Sequence, residues 1–87
     1  MKFHTVMMAD RGDGRGLVRI DRMPGADADS VCMGLVRDRK AVRAQVMAMP
    51  SQSVLFEAFV VSPKSWAWRS STMPTSAFVE FQDGPTA

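Results

Sequence analysis

Polar and apolar positions change period several times along the chain, and each change marks an element. The densest apolar run is Val54 to Val61, Val-Leu-Phe-Glu-Ala-Phe-Val-Val. If it is extended, Val54, Phe56, Ala58 and Val60 fall on one face and Leu55, Phe59 and Val61 on the other, so both faces are greasy. Such a segment is a central strand or one covered by a partner.

Upstream, Phe3 to Ala9 alternates as a first strand, and Leu17 to Met23 returns as a second with Val18 and Ile20 inward. Between them Asp10-Arg-Gly-Asp-Gly-Arg-Gly16 holds three glycines and no apolar residue, which predicts the tip of an antiparallel hairpin. Pro24-Gly25 stops the second strand, and Asp27, Asp29 or Ser30 can cap a helix. From there Val31, Leu35, Val42, Val46 and Met49 recur at spacings of 4, 7, 4 and 3, which predicts one long helix closed by Pro50. The competing reading makes Val31 to Val36 a third strand and starts a shorter helix at Asp38.

After the central strand, Ser62-Pro63 turns the chain, and Trp66 to Arg69 alternates with both tryptophans on one face. Ser70 to Ser76 reads as a loop, Ala77 to Phe81 as a last strand, and residues 84–87 as a frayed tail. The expected fold is a single α+β domain over residues 1–87. One helix packs on a mostly antiparallel sheet of four to five strands, in the order β-β-α-β-β-β.

Composition adds bounds. Eighty-seven residues suffice for one two-layer core, but leave little room for an enclosed catalytic cavity. The absence of Asn and Tyr, one Ile, and eight Arg against three Lys suggest a GC-rich source genome. A lone Cys32 and an N-terminal stretch interrupted by charges predict a cytoplasmic protein. Net charge is +2, with +3 in residues 1–50 and −1 in residues 51–87. That is sparse for binding duplex DNA through its phosphates.

Candidate chemistry is thin. His4 has no second histidine with which to build a zinc site, and Cys32 with His4 lacks the context of a nucleophile and base. Glu57 and Glu80 interrupt apolar strands and read as solvent-facing or paired with Arg69 or Lys64. The glycine loop lacks the phosphate-cradling pattern and is followed by a strand, and Arg11-Gly12-Asp13 matches an adhesion tripeptide by chance. No catalytic residue, metal or cofactor is assigned.

Surfaces carry the functional expectation instead. On the long helix, the side away from the core would present Met33, Val36, Lys40, Arg43 and Met47 with Arg37 beside them, a docking face for an acidic, uneven partner. One helix cannot cover both sheet faces, so Trp66, Trp68 and Arg69 are candidates for a second contact surface, and Arg11 and Arg15 at the hairpin tip for a third. The expected function is a small non-enzymatic protein-binding module, a homodimer through the sheet included. Its most concrete form is an inhibitor, of the kind phages and mobile elements encode, that occludes a host nucleic-acid enzyme or defence complex. The alternative is an OB-like single-stranded nucleic-acid binder, which needs Val31 to Val36 as a strand and the tryptophans as a stacking platform.

Overall fold

The computed structural model describes residues 4–20, 28–74 and 77–82. The expected strand ends at Phe3 and Met23, the Pro24-Gly25 stop, the Asp27 cap and the tail 84–87 lie outside them. The described residues form β1 (His4–Asp10), β2 (Leu17–Ile20), α1 (Ala28–Arg37), β3 (Arg43–Met49), β4 (Ser53–Ser62), β5 (Ser65–Ser70) and β6 (Val79–Gln82). All pairings are antiparallel in one open sheet of order β2-β1-β3-β4-β5-β6. The class is the expected one, a single helix on an antiparallel sheet, with six strands rather than four to five.

The extra strand is the second half of the expected long helix. From Arg43 onward the chain alternates: Ala44 and Val46 are buried, while Gln45 and Met47 point the other way. Neither earlier reading of this stretch holds. Residues 31–36 are helical, so they are not a strand, and residues 43–49 are a strand, so they are not helical.

Arg39 ends the helix. Lys40 N donates to Leu35 O at 2.8 Å and Arg39 N to Val36 O at 3.1 Å, the pair of bonds of a Schellman cap, whose left-handed position is usually glycine. Here Arg39 adopts a φ of 59°. Its guanidinium donates to Val36 O at 3.0 Å and reaches the β4–β5 turn at Pro63 O, 3.3 Å away, and Ser65 O, 3.4 Å away. One side chain therefore caps the helix and ties it to the sheet.

The helix buries Ala28, Cys32 and Val36, a stripe spaced by four and offset from the expected Val31 and Leu35, which are only partly buried. Beneath it, directly paired Ala9, Ala44 and Ala58 make a low row across three strands, flanked by a taller row of Met7, Val46 and Phe56. Met7, Cys32 and Val36 are fully buried, Met7 and Val36 each stabilising the fold by about 1.5–3 kcal/mol. A ten-residue helix is about 15 Å long and about 10 Å across, so it packs chiefly on β3 and β4. One whole face of the sheet is left without a second layer among the described residues.

β4 sits inside the sheet, as its two greasy faces require. The β1–β2 loop is the expected hairpin tip: Gly12, Gly14 and Gly16 have φ of 78°, 88° and 73°, and Asp10 Oδ1 accepts from Gly12 N at 2.8 Å.

Candidate functional site

Strand register assigns each side chain to a face. Paired residues share a face, so the rows containing Trp68–Ala58–Ala44–Ala9 and Trp66–Val60 lie on the helix side. Trp66 is 7% exposed and touches Phe81, with ring centroids 4.9 Å apart; Trp68 stacks on Phe56 at 5.4 Å. Both tryptophans therefore belong to the covered layer and form no open stacking platform. With residues 31–36 helical and the sheet open, neither condition of the OB-like alternative is met.

The uncovered face is built from the opposite rows. One runs Leu17, Asp10, Arg43, Phe59, Ala67, Glu80 from β2 to β6, and the next runs Arg19, Met8, Gln45, Glu57, Arg69. Val6, Met47 and Val54 make a third, beyond a bulge at Leu55. Phe78, 51% exposed, contacts Phe59 edge-on at 6.1 Å. Val6 is only 5% exposed, although among the described residues no second layer lies above it. It pairs with Met47, which pairs in turn with Val54.

At the centre of this face Glu57 is 4% exposed. Its Oε2 accepts from Gln45 Nε2 at 2.6 Å and lies 3.5 Å from Arg43 Nε, while Oε1 accepts from Arg69 Nε at 3.0 Å. Gln45 and Arg69 are its direct cross-strand neighbours and Arg43 is diagonal to it. The arginine side chains remain about half exposed, 51% for Arg43 and 49% for Arg69, so their guanidiniums cover the carboxylate while still meeting water. Beside this cluster a groove of about 230 Å³ runs past Val54, Phe56, Arg69, Met73 and Pro74.

The ten residues singled out in the sequence do not share one surface. Met33 and Arg37 lie on α1, with Met33 packed partly against the core and Arg37 paired with Asp38 at 3.3 Å. Lys40 is in the turn after the helix, whereas Arg43 and Met47 are on β3 and face the uncovered side. The expected helix docking face is therefore dissolved: Val36, assigned to it, is fully buried, and its members divide between two layers. Trp66 and Trp68 face the helix, Arg69 faces away from it, and Arg11 and Arg15 are exposed at the hairpin tip.

The structure instead brings Arg43, Met47 and Arg69 together with Met8, Arg19, Gln45, Glu57, Phe59, Phe78 and Glu80, which sequence reasoning had not grouped. A partnership of Glu57 with Arg69 was one of the alternatives strand alternation left open, beside Lys64 or solvent. Its burial and the contribution of Gln45 required β3 as a neighbour.

Cys32 is buried, its thiol pushed up to about 12 by desolvation, with the negative charge of Asp29 adding to the effect. It is protonated and unreactive at neutral pH. No group of three or more metal-ligating side chains occurs among the described residues, and no described helix is long and apolar enough to cross a membrane. Comparison with protein-family models, curated proteins and solved structures found no match to this chain.

Proposed function

We propose that this chain is a small non-enzymatic protein-binding module that works through the uncovered face of its sheet, covering a partner rather than transforming it. The observation that carries this reading is the composition of that face. Met8, Met47, Phe59, Phe78, Arg19, Arg43 and Arg69 lie on it, and the described lysines, Lys40 and Lys64, are both in turns. Met, Phe and Arg are the side chains enriched in buried protein interfaces, and Lys is depleted there. The Glu57 cluster suits burial as well, because its carboxylate already has its partners.

The face carries Arg19, Arg43 and Arg69 against Asp10, Glu57 and Glu80, so its formal charges balance. That supports a partner of mixed charge over a uniformly acidic one. In the finer form of the proposal the module is a cytoplasmic inhibitor that occludes a nucleic-acid enzyme or defence complex of a bacterial host.

The test is affinity capture from a GC-rich bacterial lysate with the wild-type chain, Phe78→Asp on the face and Arg37→Glu on the helix. Captured protein should be lost with Phe78→Asp and kept with Arg37→Glu. The opposite pattern places the contact on the helix layer and refutes the reading.

A further inference from the structure

The geometry points to a second copy of this chain as an occupant of the uncovered face. The two sheets pack face to face about a two-fold axis that runs parallel to the strands between β3 and β4. This rests on the reading of that face as an interface and names its partner.

The argument is charge complementarity. Arg19 stands on edge strand β2 and Glu80 on edge strand β6, both exposed and both on the uncovered face. A two-fold axis parallel to the strands reverses the strand order of the facing sheet. It therefore lays β2 of one copy over β6 of the other at unchanged height along the strands, so Arg19 stands one row away from the facing Glu80 and the two long side chains approach diagonally, once on each side of the axis. A two-fold axis in the same plane but perpendicular to the strands would lay β2 over β2 and β6 over β6. That arrangement sets arginine beside arginine and glutamate beside glutamate, so the charge pattern selects the first and disfavours the second.

The rest of the face agrees with that choice. At the centre, Arg43 of one copy comes over the row holding Phe59 of the other, a cation over an aromatic ring. Met8 comes over the row holding Arg69, a flexible apolar side chain against an aliphatic stem. Each Glu57 keeps its own three partners, so closing the interface strands no charge.

The area is sufficient. Six strands about 4.8 Å apart and about 20 Å long present on the order of 500–600 Å² in projection. Once the relief of the side chains is counted, that approaches the roughly 800 Å² per partner of a standard interface.

Arg19 and Glu80 also provide a test with little ambiguity. Within one copy they are separated by five strand spacings, about 24 Å, beyond the screening length of physiological salt. Any coupling between them is therefore intermolecular.

Sedimentation equilibrium from about 1 to 100 μM should give a mass twice the 9.6 kDa of the chain. Arg19→Glu alone and Glu80→Arg alone should each weaken the dimer by about tenfold or more, since two attractive pairs become repulsive. The Arg19→Glu/Glu80→Arg double variant should recover wild-type mass, and so should an equimolar mixture of the two single variants, whose heterodimer restores both pairs. Circular dichroism checks that each exposed substitution leaves the fold intact. A monomer across the whole range overturns the proposal, and so does a dimer indifferent to both substitutions. A monomer whose lysate capture is still abolished by Phe78→Asp overturns the second copy and leaves the interface reading standing. Loss of neither overturns both.

Discussion

Glu57 is the residue whose replacement tests the energetics of the uncovered face most sharply. Glu57→Gln preserves shape and removes the charge. The hydrogen bond from Gln45 at 2.6 Å becomes a neutral one, and that from Arg69 at 3.0 Å keeps its ionised donor but loses the carboxylate, at about 1 kcal/mol each. The Gln45 amide can flip to donate or accept, so no donor is stranded there. Arg43, 3.5 Å away and half exposed, adds little once solvent screening is counted. Because Arg69 is half exposed too, its share is discounted, and the expected net loss is about 1.5 kcal/mol. With a urea m-value of about 1–1.5 kcal/mol per molar for a domain of this size, the midpoint should fall by about 1 M or slightly more with m unchanged. Arg69→Ala should cost more than Arg43→Ala, because Arg69 donates at hydrogen-bond distance and directly across the ladder while Arg43 approaches diagonally. A double-mutant cycle between Glu57→Gln and Arg69→Ala should return a coupling near 1 kcal/mol. A loss below about 0.5 kcal/mol for Glu57→Gln, or a coupling near zero, would refute the view that this carboxylate is buried for its partners.

Three further expectations follow from particular residues. Arg39→Gly should be more stable than Arg39→Ala by about 1 kcal/mol in urea titrations, since both lose the guanidinium bonds but only glycine accepts a φ of 59° without strain; equal stabilities would contradict the cap. The thiol of Cys32 is held protonated by the fold, so the native state binds a proton that the unfolded chain releases above its ordinary value near 9.0, and stability should fall between that pH and about 12. The slope should approach 1.4 kcal/mol per pH unit and vanish in Cys32→Ala, a comparison free of tyrosine titration because the chain has none. Trp68→Ala should lower stability by about 3 kcal/mol through lost packing on Phe56. Retention on a single-stranded polynucleotide column should be the same for that variant and the wild type, and a selective loss of retention would revive the nucleic-acid reading.

What the sequence disclosed follows the range of the forces involved. The β1–β2 hairpin, the β4–β5 hairpin and the shared face of Trp66 and Trp68 are local, set by alternation and by Gly or Pro in the turns, and all three were legible. The end of the helix was not. Residues Arg37-Asp38-Arg39-Lys40 contain neither Gly nor Pro, and the left-handed Arg39 is held by carbonyls of Pro63 and Ser65, 24 and 26 residues away. Without that contact, the spacing of Val31, Leu35, Val42, Val46 and Met49 imitates a helix, although Val42 is exposed and Val46 faces the sheet core. Misplacing β3 had a second cost: it assigned Arg43 and Met47 to a helix face and hid their place beside Glu57 and Arg69. Both tryptophans, expected on a contact surface, lie on the helix side of the sheet. The open side mixes methionine and phenylalanine with a neutralised charge cluster.

Methionine oxidation footprinting gives the most direct test that the uncovered face is the contact surface. Peroxide oxidation followed by peptide mass spectrometry is run on the chain at high dilution and again in its associated state, whether with a second copy or with a captured partner. Met8 and Met47 should be oxidised several-fold more slowly in the associated state, while Met33, on the helix, keeps its rate. Protection of Met33 with unchanged rates at Met8 and Met47 would contradict the account and move the contact to the opposite side of the molecule.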